Sequence, residues 1–274
     1  MSGVRVRGLR KSFPKQEVLK GIDLDIVPGE VVGLIGPNGA GKTTLMSCLL
    51  GFLFPDEGEI SIDDRAADDL PIRARTGFVP ERMNFDRRAS GRAFLRYMAR
   101  LARIADAEAR VEELLARLQL ADAAEKTLGQ YSRGMLQRIG MCQALVANPD
   151  FLFLDEPTSG LDPNGVMLVR EVIAEQRARG AAVLLNSHQL AEVERVCDRV
   201  LFLSGGVVAQ QETLRHVDSI PIVITLLGGG VERLTAANDE EIAAAVRRLV
   251  ESGADVIDVR KQTADLEQIF RSTS

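Results

Sequence analysis

Residues 31–43 read Val-Val-Gly-Leu-Ile-Gly-Pro-Asn-Gly-Ala-Gly-Lys-Thr, followed by Thr44 and a helical run carrying Leu45, Leu49 and Leu50. Within it, Gly36-Pro37-Asn38-Gly39-Ala40-Gly41-Lys42-Thr43 fits the pattern G-x-x-x-x-G-K-[ST]. The short apolar run 31–35 has the composition of a strand covered on both faces. Glycines at this spacing let successive backbone N–H groups turn inward around an anion, and a following helix presents its positive end to it. A glycine-rich turn without a ligand would not need a buried strand before it and a helix after it; a phosphate-binding loop needs both. In such a loop Lys42 reaches the β- and γ-phosphates of a nucleoside triphosphate and the Thr43 hydroxyl ligates Mg2+, with Thr44 beside it.

Outward from this loop, three more uninterrupted apolar runs occur at Phe151-Leu152-Phe153-Leu154, Val183-Leu184-Leu185 and Val200-Leu201-Phe202-Leu203. With helical patterns between them they predict a parallel α/β core of the P-loop NTPase type. Residues 3–7 and 18–26 instead alternate apolar with polar between Pro14 and Pro28-Gly29, which predicts an antiparallel, half-exposed β edge layer. Between about 84 and 147 the period changes: Phe94, Tyr97, Met98 and Leu101, then Val111, Leu114, Leu115 and Leu118, stand at helical spacing. That predicts a helical subdomain inserted into the sheet, with Arg92, Arg96, Arg100, Arg103, Arg110 and Arg117 on solvated faces. After Gly205-Gly206 the pattern restarts in a small α+β C-terminal appendage, βαβα-like. Ile220, Ile222, Ile224 and Leu226 form its strand, Gly228-Gly229-Gly230 a turn, and Asn238 caps a helix ending near Gly253. A second strand (Val256, Ile257, Val259) and a last helix (Leu266, Ile269, Phe270) follow. The expected domains are 1–215 and 216–274.

Phe151-Leu152-Phe153-Leu154-Asp155-Glu156 ends a buried strand in two carboxylates, at the sheet edge where α/β proteins bind ligands. Adjacent acids at a strand end are often a solvated turn. Beside a phosphate-binding loop, Asp155 reads as a Mg2+ ligand, directly or through water, and Glu156 as the group that polarises the attacking water.

Tyr131-Ser132-Arg133-Gly134-Met135-Leu136-Gln137-Arg138 resembles the signature motif of the ATP-binding cassette (ABC) family, with Arg133 where glycine is commoner; the resemblance covers about residues 3 to 210. Ser132 can cap a helix whose free N–H groups, with the Gly134 backbone, make an anion site. The resemblance implies that Ser132, Arg133, Gly134 and Met135 close on the γ-phosphate held by an opposite subunit; a capped helix alone is the simpler reading. Ser159-Gly160-Leu161-Asp162 resembles the family's D-loop, which implies a catalytic part for Asp162. Asn186-Ser187-His188 resembles its switch histidine, which implies that His188 touches the γ-phosphate and orients the base. Phe13 sits where the family stacks an aromatic on adenine, with Val18 beside it; a core phenylalanine is the alternative. Gly77-Phe78-Val79-Pro80-Glu81 falls where the family carries its Q-loop glutamine. Glu81 in its place can bind Mg2+ and contact the attacking water, but adds negative charge beside the phosphates.

The chain has 274 residues, 46% hydrophobic, with a net charge of −5, which gives no counterion-releasing surface for nucleic acid. Cys48, Cys142 and Cys197 are scattered, without disulfide or zinc spacing, which suits a reducing compartment. The apolar stretch Leu45 to Phe54 is about half the ~20 residues that cross a bilayer, and no long apolar signal core opens the chain. The resemblance therefore implies a peripheral subunit at the cytoplasmic face of a bacterial inner membrane. It would bind ATP and Mg2+ and pair as a homodimer, or as a heterodimer with a related cassette. It would drive export through integral membrane permease subunits on separate chains. The alternative is a soluble cassette ATPase of translation or DNA repair. Such proteins usually carry two cassettes or a long coiled-coil insertion, and this chain has one phosphate loop and neither feature.

Overall fold

The computed structural model describes residues 2–214, 220–236, 239–261 and 266. It divides into two compact units, the first running to Thr213 and the second beginning at Leu214.

In the first unit, alternation in the amino-terminal segment makes a half-buried sheet of β1 (Val4–Phe13), β2 (Gln16–Ile26), β4 (Glu57–Ile62) and β5 (Arg65–Ala66), in the order β2-β1-β4-β5. β1 pairs antiparallel with β2, Val4 opposite Ile26 and Val6 opposite Leu24, so one face carries the apolar set. Both strands run further than the alternation predicts, because register shifts after Val6 let the pairing resume and continue to Phe13. The second sheet holds β3 (Val31–Ile35), β6 (Thr76–Val79), β7 (Phe151–Asp155), β8 (Ala182–Asn186), β9 (Arg199–Ser204) and β10 (Val207–Thr213). Its order is β10-β9-β3-β8-β7-β6, parallel except for β10. Every residue of β3, β7 and β8 is buried, which explains their unbroken apolar runs. Leu45, Met46 and Leu49 of α1 (Lys42–Leu49) fill the space between the two sheets, against Val6, Ile22, Leu24 and Leu34. α2 (Leu70–Arg73) is a single turn before β6.

Between β6 and β7 lie α3 (Gly91–Leu101), α4 (Ala107–Arg117) and α5 (Arg133–Leu145). Val111, Leu114, Leu115 and Leu118 are buried as their spacing predicts. α3 differs: it buries Gly91, Leu95 and Ala99, whereas Tyr97 and Leu101 are 59% and 61% exposed. The small residues let α3 approach its neighbours, and the larger 94/98/101 line borders an open groove instead. Arg100 and Arg103 are exposed as expected, but the other four arginines differ. Arg92 pairs with Glu112 and Glu125, Arg96 with Glu108, and Arg117 with Glu171 and Glu175, while Arg110 donates to the Leu145 carbonyl at 2.6 Å. These side chains stitch helices together; they are not simply solvated. After β7 come α6 (Pro163–Ala178) and α7 (Leu190–Val196).

The second unit is a three-stranded antiparallel sheet of β11 (Ile220–Leu226), β12 (Val231–Ala236) and β13 (Val256–Lys261), order β12-β11-β13, with α8 (Asp239–Glu251) preceding β13. β12 was not anticipated from sequence. The glycine turn at 228–230 sends the chain back antiparallel, and β12 pairs an edge of β11 that would otherwise be bare. Ile242, Val246 and Leu249 of α8 cover Ile222 and Ile224. Leu266 is buried and helical, whereas Asn238, Ile269 and Phe270, the expected cap and last helical face, lie outside the described residues.

Candidate functional site

The carboxyl ends of β3, β7 and β8 open on a cavity of about 630 Å³. Gly36, Asn38, Gly39, Gly41, Lys42, Thr43 and Thr44 form one wall, and Glu81, Asp155, Glu156, Ser159, Asn186 and His188 the other. Gly41, at the N-cap of α1, has φ +108°, a conformation open to glycine. It aims the start of α1 at the cavity. The Lys42 ammonium donates to the carbonyls of Gly36 and Pro37 at 2.6 and 3.0 Å. Burial lowers its pKa, against the opposing pull of Glu156 and Asp155.

Asp155 is the last residue of β7 and is nearly buried. Its Oδ1 accepts a hydrogen bond from Asn186 Nδ2 at the end of β8. Burial raises its pKa first of all, and the charges of Glu156 and Glu81 add to this; Asn186 and Lys42 act the other way. Glu156 has left-handed backbone, φ +51°, which costs a non-glycine residue about 1 kcal/mol or more. That turn sends its carboxylate across to the segment after β8. There Oε1 accepts the His188 backbone N–H at 2.9 Å, and Oε2 lies 2.8 Å from His188 Nδ1. This second approach is close but misaligned, and Oε2 is buried without a hydrogen bond. The His188 side chain is 70% exposed and stands in the cavity.

These donors and acceptors surround a space fitted to a polyphosphate: a cation and a helix N-terminus on one side, carboxylates on the other. Residues 19–159, just over half of the chain, match the family model described as ABC transporter. The chain belongs to the ABC transporter family. An uncharacterised ABC transporter ATP-binding protein of Nostoc is 44% identical over 69% of this cassette chain, which spans only 57% of that relative's length. The daunorubicin resistance ATP-binding protein of Streptomyces coeruleorubidus is 33% identical over 98% of this chain and 95% of its own. Among solved structures, a dimeric ATP-binding cassette in a post-hydrolysis state with ADP and Pi superposes with a TM-score of 0.70, at 25% identity. It matches 78% of this chain and 100% of that one.

Not every expected residue of the cassette lines the cavity. Ser132 to Met135 lie at the start of α5, outside it, where Ser132 Oγ accepts the Met135 N–H at 3.2 Å. Asp162 caps α6 by accepting the Gly165 N–H at 2.9 Å, also outside. Val18 lines the cavity. Phe13 does not, and at 43% exposure it is no core residue either. Gln16, Ser159 and Asn186 line it without having been singled out as site residues. For Asn186 a signal existed: a polar residue ending a buried apolar strand, at the same sheet edge as Asp155. Gln16 opens β2 and Ser159 sits in the turn after β7, and neither lies in a residue pattern that marks it as facing the cavity.

Proposed function

We propose that the chain is the ATP-hydrolysing subunit of a membrane exporter, a motor that works as a pair of cassettes. What supports hydrolysis is Glu156, whose buried carboxylate has one oxygen free of hydrogen bonds and stands beside an exposed His188 in the cavity that also holds Lys42. In this reading Lys42 exchanges the Gly36 and Pro37 carbonyls for phosphate oxygens. Glu156 orients and polarises the attacking water, and the His188 ring steers the γ-phosphate and the base. Val18 packs beside adenine, with Phe13 closing over the base from the strand end.

The oxygen donors of Thr43, Asp155 and Glu81 fit a hard divalent ion, and the Asp155 carboxylate, disfavoured by burial, gains from a cation. Mg2+ held with a nucleotide needs only one or two carboxylates from the protein, a number that Asp155 and Glu81 supply. Bound there, Mg2+ supplies charge neutralisation on the β- and γ-phosphates.

Ser132, Arg133, Gly134 and Met135, outside the chain's own cavity, serve the nucleotide of a second copy or a related cassette, and Asp162 holds the loop that faces it. The dimeric cassette among its structural relatives supports such a pair. Export names among the relatives support transport over the soluble alternative. No helix of the described residues is long and apolar enough to cross a membrane. The export ATP-binding proteins among the relatives support assigning the path for cargo to separate membrane subunits, with this chain on their cytoplasmic face. The open groove lined by Phe52, Leu70, Phe85, Phe94, Met98 and Leu101 is an apolar surface that suits such a partner. The first unit carries the nucleotide site, and the unit from Leu214 is an accessory domain. The test has two arms. Purified protein should hydrolyse ATP only when Mg2+ is present, and a membrane protein should co-purify with it in mild detergent. Absence of Mg2+-dependent turnover would remove the enzymatic reading.

A further inference from the structure

Arg133, the first residue of α5, reaches away from its own helix. Its Nη2 donates to Ser159 Oγ at 2.8 Å, and its side chain passes close to Gly160 on the way. A Cβ at Gly160 would stand 2.6 Å from Arg133 Nε and 2.7 Å from Cδ, so only the bare, left-handed backbone there, φ +75°, leaves room for the side chain. Ser159 lines the nucleotide cavity, and its N–H donates to the Glu156 carbonyl at 3.1 Å. From the same helix, buried Gln137 points its Nε2 at that carbonyl, at the 3.5 Å limit of a hydrogen bond. The start of α5 is thus tied twice to the five residues that follow the Asp155 strand.

The two ends of this tie face different sites. Ser159 belongs to the chain's own cavity, while the capped N-terminus of α5 has free N–H groups outside it. A glycine at position 133, the commoner residue in the family's signature, has no side chain with which to make the link. We infer that Arg133 is a positioning residue that clasps Ser159, so that the state of the chain's own nucleotide cavity sets the placement of the anion site it offers to a second copy. This rests on the reading that α5 acts on the partner's nucleotide. Arginine suits the task better than lysine, because its planar fork is pre-organised and loses less rotamer freedom per hydrogen bond formed.

The test uses the full chain carrying Glu156→Gln, in which ATP-bound dimers accumulate, with dimer affinity measured by sedimentation at saturating Mg2+-ATP. Arg133→Ala and Ser159→Ala should each weaken the dimer about 5- to 10-fold, in the range of one ordinary net hydrogen bond, because this charged bond is exposed. The double variant should be no weaker than the worse single one, because both remove the same link. Arg133→Lys should recover part of the loss, and, the bond being exposed, the thermal midpoint without nucleotide should fall by only a few degrees at most in any of them. Additive losses would overturn the inference. So would loss in Arg133→Ala with full affinity in Ser159→Ala, which would make Arg133 a bare cation for the incoming phosphate. Full affinity in both singles removes the clasp alone, whereas failure of the Glu156→Gln parent itself to dimerise removes the trans-site reading and the clasp with it.

Discussion

Asn186 Nδ2 donates to Asp155 Oδ1 across two neighbouring parallel strands, from the last residue of β8 to the last residue of β7. The bond fixes the carboxylate at the sheet edge while burial disfavours its charge. Its folded pKa lies above the ordinary value of 3.8, so the folded state holds a proton that the unfolded chain releases. The sign follows: the contribution of this carboxyl to stability without nucleotide is greatest below the unfolded pKa and declines as pH rises through the folded one. Asp155→Asn removes the buried charge. It should raise the thermal midpoint at pH 7 without nucleotide, flatten this part of the pH profile, and abolish the gain in midpoint on adding Mg2+-ATP. Scanning calorimetry across pH 4–8 checks all three.

Glu156→Gln keeps the size of the side chain and the phosphate cradle but loses the carboxylate beside His188. Turnover should fall at least ~100-fold, within the range typical of general-base and electrostatic groups, while ATP affinity changes little. Steady-state phosphate release with equilibrium nucleotide binding separates the two, and near-normal turnover would take Glu156 out of the reaction.

Arg75 joins three segments. It donates to Asp150 at 2.6 Å and Asp63 at 2.8 Å, and lies 5.5 Å from the centre of the Phe151 ring. Arg75→Gln should cost about 1–2 kcal/mol, the value of charge-assisted bonds reduced for partial exposure. Its hydrogen bond from Arg75 holds Asp63 below the ordinary carboxylate range, so that stabilisation is present above pH 3.8 and lost as pH falls through the folded pKa. The variant should therefore lose less stability than wild type on acidification. Urea titrations at pH 7 and at a pH well below 3.8 measure the difference.

Leu95 is fully buried on α3, whereas Tyr97 two residues on is 59% exposed. Leu95→Ala should destabilise the protein by roughly 2–5 kcal/mol through the lost contacts and the cavity left behind. Tyr97→Ala should stay within about 0.5 kcal/mol in the isolated chain. Equal effects in chemical denaturation would contradict the face that α3 buries.

Much of this was legible in the linear sequence because it depends on local chemistry. Unbroken apolar runs at 31–35, 151–154, 183–185 and 200–203, too short for helices, suit strands covered on both faces, and alternation at 18–26 suits a strand with one face wet. The phosphate loop is legible for the same reason: eight consecutive residues, between a strand and a helix, contain all the backbone geometry it needs. Helical spacing on α3 was misleading, because periodicity reports that a face exists and not which face a neighbour takes; Gly91 and Ala99 won through close approach, and the larger residues were left to the groove. What only the tertiary structure decided are relationships between distant segments. Asn186 joins Asp155 across 31 positions, His188 meets Glu156 across 32, and Arg133 reaches Ser159 across 26. Such pairs depend on which strands become neighbours and on how one left-handed residue, Glu156, redirects the chain. Those are properties of the packed sheet, which no local pattern of residue types contains.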